Sequence, residues 1–328
     1  MEKAVASLFT ETIINEGLRQ FEVDVHSAKM LGDFENFIYE GVREKRKVIV
    51  RYTHSSHRTD EQIISEIDWV CHLKKHGVNV YEHFLSKEGN FLEAIEAVDG
   101  SCFYICCYDM LPGKRITWRD CEQEPSYIEK WGAVIGQMHQ ATKKYVKPQS
   151  IARRPEWHEE DLMNMELFRE HYTEEMFTNS EDVLKQVHAL TKTENNYGII
   201  HSDLHLGNFH VQDDQVYVFD FDDSSYLFFA SDIAIPLYYT LLSRILEGQE
   251  QQEEFAAFFM KHFMAGYEKY NQLDEKDILS IPLFLRLRDV SLYNVMLKKY
   301  DLEHLSEKEA LFMNSVKERL KNRRTIAE

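Results

Sequence analysis

The chain has 328 residues, with 38 Lys plus Arg against 56 Asp plus Glu and a formal net charge of −18. This length predicts two packed units, and so acidic a surface repels phosphate backbones and anionic headgroups, which excludes nonspecific binding to nucleic acid or a membrane surface. Hydrophobic residues at 44% and aromatics at 12% supply a sizeable core and exclude wholesale disorder.

The segment MEKAVASLFTETII places Glu2 and Glu11 around a short apolar stretch and predicts an amphipathic helix with no signal-peptide pattern. FENFIYEGV and KVIVRYT flank the charged turn REKRK and predict a β-hairpin. In DEQIISEIDWVCHLKKHG, the residues Ile63, Ile64, Ile67, Val70, Cys71 and Leu73 recur at helical spacing, and Gly77 is the stop signal. FLEAIEAV and CFYICCY predict two more strands around the turn residues Asp99 and Gly100. The five cysteines, Cys71, Cys102, Cys106, Cys107 and Cys121, show no zinc-type spacing; they predict reduced thiols in a cytoplasmic protein. No apolar run approaches the roughly 18 residues of a membrane span.

Pro112 and Gly113 mark a connection, after which the texture turns helical. SYIEKWGAVIGQMHQAT, the acidic stretch 156–175, SDIAIPLYYTLLSRIL, EEFAAFFMKHFMAGY and DILSIPLFLRLRDVSLYNVMLKK all carry the 3.6-residue period. The run 247–254 predicts a solvated loop or helix face. One interruption, YGIIHSDLHLGNFHVQDDQVYVFDFDDSS, predicts short strands and turns.

That interruption concentrates polar chemistry. His201, Asp203 and Asn208 stand as H-x-D-x-x-x-x-N, and the strand VYVF then delivers Asp220, Phe221 and Asp222. Phosphoryl transfer needs a carboxylate to orient and deprotonate an attacking hydroxyl, and oxygen ligands to hold Mg²⁺ against phosphates. Asp203 suits the first task, Asn208 and Asp220 the second. Two other readings stand beside it: an Asx-turn that only joins two strands, and a metal site from the alternating His201, Asp203 and His205. Upstream, Arg51 closes the strand VIVRY and Glu66 lies on the following helix. That order suits a basic residue on the α/β-phosphates whose rotamer is fixed by an acid; a purely structural ion pair is the alternative.

Together these segments resemble the aminoglycoside phosphotransferase (phosphotransferase enzyme) family. GDFENFIYEG is similar to its phosphate-loop hairpin, YDMLPGK to its interlobe hinge, and HSDLHLGN and VFDFDD to its catalytic loop and metal-binding segment. RRPEWHEED and IPLFLRLRD resemble a bacterial branch near homoserine-kinase-like and stress-response-kinase-like proteins. The resemblance implies an α+β, bilobal, protein-kinase-like fold. A small N-terminal lobe of antiparallel sheet plus helix, 1–108, covers the nucleotide; a larger, mainly helical C-terminal lobe, 109–328, holds the catalytic and metal-binding loops and the acceptor site. It further implies Asp203 as catalytic base, His201 as support of the loop, Asn208 and Asp220 as Mg²⁺ ligands with Asp222 at or near a second metal, and Asp232 as a brace of the loop. Arg51, Glu66 and Asn36 would serve the phosphates, and Asp109, Met110 and Leu111 the adenine of ATP or GTP.

The implied activity moves a γ-phosphoryl group to a hydroxyl of a small molecule such as an aminoglycoside, amino alcohol or hydroxy amino acid. The aromatic and acidic run around Trp157, Glu160 and Asp161 suits an ammonium-bearing acceptor, or else the solvated acidic face of an amphipathic helix; Arg286 and Arg288 suit a carboxylate-bearing acceptor, or equally serve as structural partners of nearby acids. A Ser/Thr protein kinase of the stress-response type and a nucleotide-binding pseudokinase or scaffold are the alternatives. Nucleic acid and membrane are not expected partners, and the sequence fixes no oligomeric state.

Overall fold

A computed structural model describes residues 3–327. The chain divides into two compact units. The first runs to Gly113, beyond the boundary expected at Tyr108, and also takes in Tyr145–Arg154 and Tyr217–Asp222. The second comprises Lys114–Lys144, Pro155–Val216 and the chain from Asp223 onward. Among the described residues, no helix is long and apolar enough to cross a membrane.

In the first unit the expected amphipathic start is two helices, α1 (Lys3–Leu8) and α2 (Glu11–Gln20), broken where the Thr10 side chain caps α2. An antiparallel sheet follows. Strands β1 (Lys29–Gly32), β2 (Phe37–Arg43) and β3 (Arg46–His54) precede helix α3 (Asp60–Lys75). After it come β4 (His83–Phe84), β5 (Glu93–Glu96) and β6 (Cys102–Asp109). The strand order is β1-β2-β3-β6-β4, with β5 also paired to β6. Alternation along β3 explains its two faces. Val48, Val50 and Tyr52 join Leu18, Phe21, Phe103 and Ile105 in one core. The residues between them, Arg51 among them, point to the opposite face, where Ile63 and Ile67 of α3 pack on Cys106. α3 starts with a reciprocal capping box between Thr59 and Gln62.

The second unit opens with α4 (Trp118–Gln123) and α5 (Ser126–Thr142). Next come α6 (Glu174–Ala189), β7 (Tyr197–Ile200), β8 (Phe209–Gln212) and β9 (Gln215–Val218), the last of which carries the chain into the first unit. β10 (Ser225–Phe228) pairs with β7, and α7 (Phe229–Leu246), α8 (Gln252–Tyr267), α9 (Glu275–Ile278), α10 (Ile281–Lys299) and α11 (Glu307–Asn322) complete the unit. α5 and α8 approach backbone to backbone: a Cβ on Gly132 would lie 2.0 Å from the Phe263 carbonyl oxygen, and one on Gly266 only 1.8 Å from that of Glu129. Only glycine permits that approach.

The stretch 156–175 departs from its expected helix. It folds as turns with two 3₁₀ segments, Asp161–Met163 and Met165–His171, before α6 begins at Glu174. Local turns satisfy part of its backbone, as where Met163 N–H donates to the Glu160 carbonyl, and a distant residue adds to them: the Leu162 carbonyl accepts from Asn294 Nδ2 at 2.8 Å, and Tyr172 Oη donates to Asn294 Oδ1 at 2.8 Å. Hydrogen bonds of this kind replace the ladder that a helix would have supplied.

Candidate active site

In the first unit, period-two alternation on β3 and the helical turn of α3 bring Arg51 and Glu66 together. Nη1 and Nη2 of Arg51 donate to the two Glu66 oxygens, each at 2.8 Å, with the side chains 2% and 0% exposed. Burial works against the guanidinium charge, but the carboxylate beside it keeps Arg51 protonated. Tyr81 Oη adds a longer contact to Glu66 at 3.4 Å.

The Asp-Phe-Asp segment belongs to this unit as well. Val218 N–H donates to the Asn79 carbonyl at 2.9 Å and so anchors its approach. Asp220 then adopts φ 68°, a left-handed conformation that Asp tolerates. Phe221 is fully buried, edge-on to Trp69 of α3 and to Tyr81. Asp222 Oδ2 meets His57 Nε2 at 2.6 Å, and Oδ1 lies 3.6 Å from Arg58 Nε. Burial alone would raise its pKa; Arg58 and His57 instead hold it well below the usual carboxylate range. Arg154, 1% exposed, arrives from the Tyr145–Arg154 segment and donates to the Asp222 carbonyl at 2.6 Å and the Gln62 carbonyl at 2.9 Å. Asn36 accepts from Thr53 Oγ1 at 2.6 Å, so its turn is tied to β3. At the end of β6, Asp109 N–H bonds the Glu82 carbonyl and Met110 N–H the Lys47 carbonyl. Of Asp109, Met110 and Leu111, the first two thus have their N–H groups taken up by sheet and turn.

In the second unit, β7 leads into the loop 201–208. Asp232, near the start of α7, accepts from the backbone N–H groups of His201 at 3.1 Å and Ser202 at 2.9 Å, and from His139 Nε2 at 3.2 Å. Its carboxylate holds Ser202 at φ 68°. The loop closes on itself when Asn208 Nδ2 donates to the Asp203 carbonyl at 3.0 Å. His205 Nδ1 accepts from Gly207 N–H at 2.9 Å, which assigns the ring proton to Nε2, 3.4 Å from Asp203 Oδ2. Arg288 of α10 donates through Nη2 to Asp203 Oδ1 and to Tyr239 Oη. Burial pushes the Asp203 pKa up, but Arg288 and His205 outweigh it and leave the carboxyl below its ordinary value.

In each unit taken by itself, the donor chemistry fits a hard divalent cation. Asn208 uses Nδ2 inside its loop, which leaves Oδ1 as the atom to offer a metal. Asp222 keeps a buried Oδ1 that accepts no hydrogen bond. Asp220 supplies a second carboxylate on the same segment. Carboxylate and amide oxygens of this type suit Mg²⁺ or Ca²⁺ and do not suit a thiophilic metal.

The acceptor residues expected around 157–161 are placed differently. Trp157 is 5% exposed, its ring against His158 and His188, so it is core packing and not an open aromatic wall. Glu160 is half-buried and Asp161 exposed at the first 3₁₀ segment, and Arg286 is half-buried on α10. Of the two expectations for Arg288, an acceptor carboxylate or a nearby acid of the protein, the structure shows the second, with Asp203 as the partner. His57 and Arg154 carried no local signal of their contact with the Asp-Phe-Asp segment.

The sequence profile of the phosphotransferase enzyme family matches residues 30–273. The chain belongs to this family. It is 30% identical over 310 residues to amicoumacin kinase of Bacillus subtilis (strain 168), an alignment covering 94% of this chain and 91% of that protein. Among solved structures, an amicoumacin kinase in complex with AMP-PNP, Ca²⁺ and Ami superposes with a TM-score of 0.92 at 31% identity, covering 99% of this chain and 97% of that one. A microcompartment-associated aminopropanol kinase superposes with a TM-score of 0.74 at 18% identity over 95% of each chain, a likeness of fold. This phosphotransferase is accordingly an α+β enzyme of protein-kinase-like fold, its antiparallel sheet in the N-terminal region and its C-terminal part mainly helical.

Proposed function

We propose that this phosphotransferase uses ATP and Mg²⁺ to phosphorylate a hydroxyl of amicoumacin or a close analogue. The observation that carries the reading is the end-to-end match to amicoumacin kinases together with a complete, braced Asp203–Asn208 loop. Asp203 serves as base: its carboxylate, held ionised by its neighbours, orients the acceptor hydroxyl and takes its proton. The acceptor oxygen bonds to the γ-phosphorus as the bond from that phosphorus to the bridging oxygen of ADP breaks. His201 and Asp232 keep the loop in shape. Asn208 and Asp220 would hold the cation, with Asp222 beside it; when bound, the cation neutralises the phosphate oxygens. Arg51, fixed by Glu66, and the Asn36 turn would serve the phosphates, and Leu111 N–H with the Asp109 carbonyl the adenine edge. Five free cysteines support a cytoplasmic setting.

The test is purified protein incubated with ATP, Mg²⁺ and amicoumacin, with mass spectrometry for one added phosphoryl group. The wild type adds it, and Asp203→Asn adds it at least about 100-fold more slowly while still binding nucleotide. Unmodified amicoumacin with wild-type protein rejects the acceptor; equal turnover in the two proteins rejects the base.

A further inference from the structure

Arg288 sits on α10, outside every segment that carries the family's loop motifs, yet it touches the carboxylate assigned as base. Its Nη2 donates to Asp203 Oδ1 and to Tyr239 Oη, and its guanidinium lies 5.0 Å from the Tyr239 ring centre. The other carboxylate oxygen is held far more loosely. Asn208 Nδ2 and His205 Nε2 each stand 3.4 Å from Oδ2, at the outer limit of hydrogen bonding. One oxygen of Asp203 is thus committed to a charged donor, while the other can exchange weak contacts for a hydroxyl at little cost.

The position of Arg288 is itself fixed by a second, adjacent set of bonds. Consecutive tyrosines on α7 meet consecutive charged residues on α10. Tyr239 accepts from Arg288, and Tyr238 Oη donates to Asp289 Oδ1 at 2.6 Å. Arg319 of α11 then donates to Asp289 through Nε at 3.0 and 3.1 Å and through Nη2 at 2.6 Å. Asp289 is 1% exposed, so this pairing cannot be given up to water. A shift of α10 by one residue would break the Asp289 bonds and the Arg288 bonds together. Meanwhile Arg288 Nε is buried without a hydrogen-bond partner, so satisfying its own donors does not account for an arginine here.

We propose that Arg288 is a positioning residue for phosphoryl transfer: it grips Oδ1 of Asp203 so that Oδ2 alone is presented to the acceptor hydroxyl. The inference rests on Asp203 being the base. The hydroxyl proton passes to Oδ2, the new O–P bond forms, ADP leaves with the electrons of the broken bond, and Arg288 keeps its protons throughout. An ungripped carboxylate would rotate about its Cβ–Cγ bond and dilute the productive orientation.

A double-mutant cycle tests the pairing. Wild type, Arg288→Ala, Asp203→Asn and the double variant are compared in amicoumacin phosphorylation and, in parallel, in basal Mg-ATP hydrolysis, where water replaces the acceptor. We expect Arg288→Ala to lower kcat about 10- to 100-fold, with KM for ATP held within about twofold. Arg288→Lys recovers part of the loss, and adding Arg288→Ala to Asp203→Asn costs nothing further. Unchanged kcat in Arg288→Ala beside a strongly slowed Asp203→Asn overturns the positioning role, as do losses that multiply in the residual turnover of the double variant. Wild-type turnover in Asp203→Asn is a separate result that removes the base assignment. Should Arg288→Ala fail to fold, Arg288→Gln takes its place in the same cycle, with the melting temperature recorded for each protein.

Discussion

Arg51 and Glu66 face each other as two planar forks, with two parallel bonds of 2.8 Å and almost no exposure to solvent. A lysine cannot reproduce that geometry, because its ammonium is a single point of charge. Arg51→Met leaves the Glu66 carboxylate buried without its charge partner, and should cost about 3–5 kcal/mol of stability, read by urea denaturation. Arg51→Lys should fold but raise KM for ATP several-fold. Wild-type stability in Arg51→Met would show that the pair contributes nothing.

Asp232 satisfies three donors from a single buried carboxylate. Asp232→Ala strands the N–H groups of His201 and Ser202, each at about 1–3 kcal/mol. The left-handed Ser202 then relaxes and Asp203 loses its aim. Activity should fall at least about 100-fold together with a lowered melting temperature, while Asp232→Asn, which keeps two acceptor lone pairs, should retain more of both.

Arg154 bonds the carbonyl of Asp222 and that of Gln62 at the start of α3, so it ties the Asp-Phe-Asp segment, proposed to hold the cation, to the helix that carries Glu66. Arg154→Ala should raise the Mg²⁺ concentration for half-maximal activity while leaving KM for amicoumacin within about twofold. A Mg²⁺ titration of the variant decides this; a curve that overlays the wild type would dismiss the tie.

His83 is buried among Tyr81, Phe91 and Tyr108 with neither ring nitrogen hydrogen-bonded. Burial, with the charge of Arg51 added, lowers its pKa to about 3. In the unfolded chain the imidazole titrates near 6.5. Between those values the unfolded state binds a proton that the folded state refuses. The stability it contributes is therefore complete above about pH 6.5 and is lost at about 1.4 kcal/mol per pH unit as pH falls toward 3. His83→Phe should flatten this dependence between about pH 7 and pH 5 in denaturant melts. Identical slopes for the two proteins would contradict it.

Gly132 and Gly266 stand where α5 and α8 touch through their backbones. Gly132→Ala must force the helices apart against the Phe263 carbonyl, and should cost at least about 1–3 kcal/mol in thermal or urea unfolding. A neutral effect would mean that the helix pair yields freely.

Chemistry that depends on neighbours in the chain was legible in the residues themselves. HSDLHLGN closes its own loop through Asn208 and Asp203, five positions apart, and the alternation of VIVRY turns Arg51 away from the Val48 and Val50 core toward α3. Family membership followed from those ordered pieces. Residues 156–175 had a helical apolar period, but period reports only which side chains prefer shelter. Asn294 took up the polar groups of that stretch and left it in turns.

Local pattern fixed which backbone turns and strands form, because their hydrogen bonds and side-chain faces repeat within a few residues. Only tertiary structure could pair Arg288 with Asp203 across 85 positions, Arg154 with Asp222 across 68, or bury Trp157 against His188. The reason is physical: a charged side chain carries no mark of its partner until packing has excluded water around both, and then the one neighbour within reach decides its role.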